Sequence, residues 1–416
     1  MPWLLNFQHK ERGRGFFQLQ DLPDTMNKRL RTMVERGELK LNGATAQELL
    51  QVYRQLHAIA LNKKVKSSPF RTCHVRVYRH FVLADSQLFE HLKEIQGNDP
   101  TKAPHCLAIA RVLFLRKYGE LQNCLRQQET PKFLETLVKF KFFMKNLETK
   151  TFTELLQAKN ELMSVMEQEA LALFRTGVFL QDSQEVADDP CEMIVDQMSD
   201  NLYTEYQNAF IQLDLGFIPP KHSHLLERVN RFLTNLQGLL EKSQNNLKNI
   251  ITIACWAFTT SIKIHPFIDG NGRLSRLLVN LILLENGLPE VTFDMQDRAD
   301  YIEICTQSRL GNPKRLQEYL AKMIVSSADT VIANLKKESK LESPDLNTLA
   351  EYAARQNNSS ALQCLFFKAR HEKFSLDFAH IIHPDLDEKI IQQLTAMLCL
   401  AENQTQLTSA PATMKQ

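Results

Sequence analysis

Along most of the chain, apolar residues recur three and four positions apart, the period of one helix face, and stretches of strict alternation are few. The pattern predicts an all-α protein. A first clear helix starts at Thr45, where Thr45-Ala-Gln-Glu48 has the form of a capping box, and runs through Leu49, Leu50, Tyr53, Leu56 and Ile59; Asp24 has the look of the cap of an earlier one. Helical patterns follow at 81–96, 103–126, 131–147 and 152–175, with Pro100, Pro104 and Pro131 marking breaks. Ala209 to Leu215 alternates apolar with polar, which predicts a short strand. After Gly216 and Pro219-Pro220, a helix opens near Ser223 with Leu225, Leu226, Val229, Phe232, Leu233 and Leu236 on one side, and another spans 247–264. The next carries Leu274, Leu277, Leu278, Leu281 and Ile282 until Asn286-Gly287 stops it, with Arg273, Arg276 and Asn280 on the opposite face. Helices at 297–309 and 313–335 flank Gly311-Asn312-Pro313, and further patterns lie at 345–356, 359–371 and 385–401. The last fifteen residues have the composition of a disordered tail.

Composition adds a compartment and a charge map. The 416 residues suffice for two or three domains, and 44% hydrophobic with 24% charged residues is ordinary for a soluble protein. No run of about 18 apolar residues and no Sec-type leader is present, so we expect a soluble chain without a transmembrane segment. The eight cysteines are scattered with no Cys-x-x-Cys pair, which predicts reduced thiols in the cytoplasm rather than a zinc site. Residues 1–80 hold 15 Lys or Arg against 6 Asp or Glu, a balance of +9, so the rest carry −7 of the net +2. No basic residue lies between Arg175 and Lys221, where nine acids do. A charge block of this kind is ordinarily solvated surface. We therefore expect an N-terminal helical region over 1–180, a second domain over 181–335, a C-terminal helical region over 336–402 and a tail over 403–416, with no nucleic acid as partner.

One segment carries chemistry. Residues 265–276 read His-Pro-Phe-Ile-Asp-Gly-Asn-Gly-Arg-Leu-Ser-Arg, a loop opening onto a helix. Unpaired backbone N–H groups at a helix N-terminus favour anions, and glycine lets backbone approach a ligand closely, so the amides around Gly270, Asn271 and Gly272 make a phosphate cradle. His265, with its near-neutral intrinsic pKa, can take a proton from an attacking hydroxyl. Asp269 offers a hard carboxylate oxygen to Mg²⁺. Arg273 and Arg276 stand three apart and can both reach a polyphosphate.

The same twelve residues resemble, at all eight fixed positions, the Fic-domain signature His-x-Phe-x-Asp/Glu-Gly-Asn-Gly-Arg-x-x-Arg. His383-Pro384 serves as an internal control: it is followed by Asp-Leu-Asp-Glu and matches nothing further. Phe217-Ile-Pro-Pro220 resembles the family's Phe-Val-Pro-Pro segment, and Tyr301, Gly311-Asn312 and Leu316 to Leu320 resemble its closing helices, so the likeness covers about 195–335. The resemblance implies a Fic-type helical core with a short β flap. It implies His265 as general base, Asp269 as Mg²⁺ ligand, Asn271 and the amides of Gly270 and Gly272 at the α and β phosphates, Arg273 at the β-phosphate, Arg276 at the γ-phosphate and Phe267 as an apolar anchor. The reaction implied is AMP transfer from ATP to a Ser, Thr or Tyr hydroxyl of a target protein. Alternatives are transfer of phosphocholine or another nucleotide-linked group, and a non-catalytic recruitment module that binds nucleotide.

Two departures from the family pattern stand out. No full Ser/Thr-x-x-x-Glu-Gly/Asn inhibitory helix is present; the nearest string, Ser86-Gln-Leu-Phe-Glu90-His91, ends differently and reads as surface helix. The segment Tyr206 to Phe217 is shorter than the family's flap. Trp256 and Phe258 are expected in the core, His222 and His224 in an exposed turn, and Tyr301 either in packing or against a nucleotide or target. Long helical arms without a Sec leader suggest a bacterial effector injected into a host cell, with a host protein as target.

Overall fold

The computed structural model describes residues 24–61, 69–71, 77–78, 85–127, 131–175, 198–243, 246–293, 298–372, 374–377 and 381. These form two compact units, one within Arg71–Leu225 and the other within Leu19–Phe70 together with Leu226–Gln416. Helices α1 (Asp24–Glu35) and α2 (Ala46–Ala60) belong to the second unit. The expected capping box opens α2: the Thr45 N–H donates to Glu48 Oε2 at 2.7 Å, and the Glu48 N–H donates to Thr45 Oγ1 at 3.3 Å.

The first unit holds β1 (Val77–Tyr78), α3 (Asp85–Asn98), α4 (Ala103–Gln127), α5 (Pro131–Lys145), α6 (Phe152–Arg175), α7 (Asp200–Gln212) and β2 (Gly216–Phe217). Helix α4 is its centre, packed by α3, α5, α6 and α7. Leu113, Phe114 and Leu121 from α4, Phe140 from α5, Leu155 and Leu162 from α6 and Phe210 from α7 share one core. A second capping box, Thr151 with Glu154, starts α6.

The strand expected over Ala209–Leu215 is not formed: α7 continues to Gln212. Tyr203, Tyr206, Phe210 and Leu213 are all buried at helical spacing, so the period-2 pattern of the segment's end is overridden by the longer 3.6 period that contains it. Asp214 at φ 56° then turns the chain, and the Leu215 N–H donates to the Phe210 carbonyl at 3.1 Å. The strand lies just beyond, at β2, paired antiparallel with β1 from the N-terminal part of the chain (Val77 opposite Phe217, Tyr78 opposite Gly216). Tyr203 donates to the Pro219 carbonyl at 2.7 Å, fixing the double proline to α7. Glu90 is exposed on α3, and His222 and His224 form a half-buried single turn of 3₁₀ helix.

The second unit continues with α8 (Leu225–Lys242), α9 (Leu247–Ile264), α10 (Asn271–Glu285), α11 (Arg298–Arg309), α12 (Lys314–Ser339), α13 (Leu346–Arg355) and α14 (Ser359–His371). Helix α10 is its axis, packed by α9 on one side and by α1 and α2 on others. The expected polar face of α10 is therefore not solvent-facing. Arg276 is 1% exposed and Asn280 is fully buried. Asn280 is satisfied there, with Oδ1 accepting from the Val291 N–H at 2.9 Å and Nδ2 donating to the Val291 carbonyl at 2.9 Å and to Asn27 Oδ1 at 3.0 Å. Trp256 and Phe258 pack against Phe232 and Phe293 respectively. Cys106, Cys255, Cys305 and Cys364 are free thiols. Among the described residues no helix is long and apolar enough to cross a membrane. The acidic stretch over 181–197, the pattern at 385–401 and the terminal tail lie outside the described residues.

Candidate nucleotide-binding site

The site is the corner between α9 and α10. Pro266 disfavours the right-handed helical region for the residue before it and has no N–H to donate, so α9 stops at His265. His265 takes φ 48°, ψ 58°, the left-handed region, while its N–H still donates to the Ser261 carbonyl at 3.1 Å. A non-glycine residue held there stores backbone strain of the kind that gathers at functional positions.

The loop is then pinned from three directions. Phe267 is buried, its ring 3.6 Å from that of His57 at an interplanar angle of 4°, with the Tyr53 and Phe70 rings further round it. Asn271, the first residue of α10, spends its side chain on the loop itself: Oδ1 accepts from the Phe267 N–H at 3.1 Å and Nδ2 donates to the Phe267 carbonyl at 2.7 Å. His57 Nε2 lies 2.6 Å from the Asp269 carbonyl oxygen; a carbonyl only accepts, so Nε2 carries the proton.

Gly270 sits at φ 78° as the N-cap of α10, and a Cβ there would lie 2.9 Å from Leu61 Cδ2 and 3.2 Å from His57 Nε2. Its carbonyl accepts the first helical bond, from the Leu274 N–H at 2.8 Å. No side chain caps this helix start, which leaves the N–H groups of its first turn to a ligand. The Gly270 N–H is itself taken by Asp269 Oδ1. Asp269 Oδ2 faces Arg273 Nη2 at 3.6 Å, the carboxylate half exposed and the guanidinium largely covered. Gly272 differs from Gly270: a Cβ there would meet Arg276 Nη1 at an ordinary 3.8 Å.

Beneath the loop, Arg276 is hydrogen-bonded to Tyr301, which is itself buried against Cys305. Burial holds the Tyr301 phenol well above its usual pKa, with the neighbouring Cys305 acting in the same direction, so it remains a neutral phenol whose oxygen accepts from the Arg276 guanidinium. Tyr301 is thus in packing, under an arginine, rather than on an open face. Burial likewise pushes the Cys305 thiol up to about 11 against the opposing pull of Tyr301, Arg309 and Arg276, which makes it inert as a nucleophile. Burial and the nearby Arg309 lower the Lys263 pKa. Arg309 also acts on Cys305 together with Arg276, so these cations neighbour one another beneath the corner.

The structure brings His265, Phe267, Asp269, Gly270, Asn271, Gly272 and Arg273 onto one corner, with Arg276 and Tyr301 packed below. Sequence reasoning missed His57, Lys263 and Arg309. The signal for His57 was a histidine four residues after Tyr53 on an otherwise apolar helix face.

Residues 189–283, which include the whole corner from His265 to Arg276, match the model of the Fic/DOC family. Over 117 residues the chain is 34% identical to the protein adenylyltransferase Fic of Nematostella vectensis, covering 28% of this chain and 26% of that protein. Over 78 residues it is 37% identical to the protein adenylyltransferase fic-1 of Caenorhabditis elegans, covering 19% and 15%. The chain thus spans about a quarter or less of the length of these curated relatives. A solved Fic-1 structure from C. elegans aligns with 76% of this chain and 100% of its own at 17% identity and a TM-score of 0.25, too loose a likeness to bear on the fold.

Proposed function

We propose that the chain is a protein adenylyltransferase, transferring AMP from ATP to a hydroxyl of a target protein. One observation carries the reading: α10 opens at a glycine with no side-chain cap, directly after a strained histidine and beside one acid and one arginine. Relatives named as protein adenylyltransferases support it.

The N–H groups of the first turn of α10 receive the phosphates, helped by the positive end of the helix dipole. Arg273 takes the β-phosphate, while Arg276, expected at the γ-phosphate, is buried on Tyr301 beneath the first turn and would have to be uncovered to reach a phosphate. His265 accepts the proton of the target hydroxyl; the hydroxyl oxygen bonds to the α-phosphorus, and the bond from that phosphorus to the β-phosphate oxygen breaks, releasing pyrophosphate. Among the described residues no three acidic, histidine or cysteine side chains converge as a cage. A single half-exposed carboxylate fits Mg²⁺, which is commonly held by one or two carboxylates, substrate phosphates and water. Asp269 is the residue that would hold it, and the ion would neutralise charge on the phosphates.

The test is intact-mass analysis of proteins incubated with the chain, ATP and Mg²⁺. The expected result is an added AMP on a target with the natural chain and none with His265→Ala. Undiminished labelling by His265→Ala would overturn the proposal, as would an adduct of phosphocholine mass when several donors are offered together.

A further inference from the structure

Helix α2 lies outside residues 189–283, yet two of its residues touch the corner. We propose that His57 is a positioning residue of the nucleotide site, fixing the peptide that carries Asp269, and that Tyr53 one turn earlier anchors the helix from which His57 acts. The proposal rests on the adenylyltransferase reading for its catalytic consequence but not for its geometry.

The need for such a residue follows from Gly270. Asp269 joins a glycine in the left-handed region, and glycine visits both signs of φ at little cost, so the peptide plane that carries the Asp269 carbonyl turns readily unless something holds it. His57 holds it twice. Its Nε2–H donates to the Asp269 carbonyl at 2.6 Å, which sets the peptide plane and leaves the carboxylate toward the Gly270 N–H and Arg273. Its ring lies flat on Phe267, two residues before Asp269, so the loop is gripped on both sides of Ile268. The lack of a Cβ on Gly270 is what allows this approach, since Nε2 would stand 3.2 Å from one.

The grip is rigid because α2 is tied to both helices of the corner. The Tyr53 hydroxyl lies 2.7 Å from Ser261 Oγ on α9, and Ser275 Oγ on α10 lies 3.0 Å from Ser261 Oγ and 2.9 Å from the Asn271 carbonyl. All three side chains are buried. The Ser275 hydroxyl donates to Ser261 Oγ or to the Asn271 carbonyl, and either of the Tyr53 and Ser261 hydroxyls can donate to the other, so the three hydroxyls link α2, α9 and the start of α10. Tyr53 and His57, four residues apart on one helix face, therefore meet the corner at its two helices and at its loop.

Two variants separate the two grips. His57→Phe keeps a flat ring over Phe267 and removes the donor; His57→Gln keeps an N–H near the Nε2 position and removes the stack. Amide hydrogen exchange is read over residues 269–273, with α9 and α14 as internal references, alongside AMP transfer as a function of Mg²⁺ and ATP concentration. For His57→Phe the loop amides are expected to exchange about tenfold faster while the reference helices are unchanged. Outer-shell partners of a metal ligand typically matter by about 10- to 100-fold in affinity or activity. We accordingly expect kcat to fall, and the Mg²⁺ needed for half-maximal rate to rise, by that order, with KM for ATP changing less than about threefold and His57→Gln recovering part of the kcat. Unchanged loop exchange in His57→Phe overturns the proposal whatever the activity, and should that variant fail to fold, unchanged exchange in His57→Leu, which keeps neither the donor nor the flat ring, does the same. Faster loop exchange in a chain that never transfers AMP upholds the positioning role and overturns the adenylyltransferase reading instead.

Discussion

Gly270 and Gly272 look equivalent in the sequence, and the structure predicts opposite effects of placing alanine at each. At Gly270 an alanine must adopt φ 78°, which costs about 1–2 kcal/mol for an L-residue. Its Cβ also meets Leu61 Cδ2 at 2.9 Å and His57 Nε2 at 3.2 Å. The leucine methyl is the end of a flexible side chain and can swing aside cheaply. His57 cannot, being stacked on Phe267 and bonded to Asp269, so either that bond lengthens or the loop shifts, at a further cost of about 1 kcal/mol for one hydrogen bond. The sum is about 2–3 kcal/mol of lost stability for Gly270→Ala. At Gly272 the backbone is not in the positive-φ region, the Cβ would make an ordinary contact at 3.8 Å, and alanine is a better helix former than glycine by about 0.8–1.0 kcal/mol in a helix interior. Gly272→Ala should therefore raise stability by somewhat less than that, being in the first turn, while weakening ATP binding because the Cβ stands where a phosphate must approach the backbone. The assay is urea unfolding of both variants followed by circular dichroism, with ATP affinity measured by calorimetry on each. Gly270→Ala as stable as the natural chain, or Gly272→Ala less stable by more than about 1 kcal/mol, would refute the idea that backbone conformation divides the two glycines.

Two further outcomes test the fold around the site. Asn280→Ala leaves the buried Val291 N–H and carbonyl without their side-chain partner and removes a bond to Asn27, so it should cost about 2–5 kcal/mol, read as a shifted urea midpoint with little change in slope. Glu154, whose carboxylate takes the Thr151 N–H and then Lys150 and the Thr151 hydroxyl, titrates at about 2 instead of the usual 4.5. A pKa lowered in the folded state gives stability that is fully present above about 4.5 and is lost as pH falls towards about 2, so thermal melts of Glu154→Gln should show a shallower pH dependence across that window than the natural chain.

Where the sequence was legible, the information was local. The Thr45–Glu48 box, the end of α10 at Asn286-Gly287 and the break at Gly311-Asn312-Pro313 each involve residues within one turn of one another, and each is formed. The strand expected at Ala209–Leu215 failed at the same scale, because its alternating residues are also the end of a helix whose buried face begins at Tyr203. Other features were hidden for a different reason. The apolar face of α10 was plain, but that its polar face would be covered depends on α1 and α2, more than two hundred residues away, packing onto it. Asn280 and Arg276, which the sequence sets on the face opposite the leucines, are a satisfied core amide and a buried guanidinium on Tyr301.

That covering also bears on why a short signature can be complete in sequence and still insufficient in space. On the adenylyltransferase reading we propose, His265, Asp269 and the glycines supply the chemistry, but Gly270, beside which His57 packs closely, leaves the loop without a side chain at that position to fix it. Rigidity must then come from elsewhere, and in this chain it comes from Asn271 closing on Phe267 within the segment and from His57 closing on Asp269 from outside it. The first constraint is local and travels with the signature. The second is supplied by a helix placed before the matched residues, which means that a fragment of 189–283 alone would hold the proton acceptor and the phosphate cradle while leaving the Asp269 peptide free to turn. If Asp269 holds Mg²⁺ as we propose, that freedom is one its ligand geometry cannot tolerate. Helix α2 is therefore part of the corner's framework, because its His57 holds the Asp269 carbonyl that the flexible glycine leaves loosely constrained.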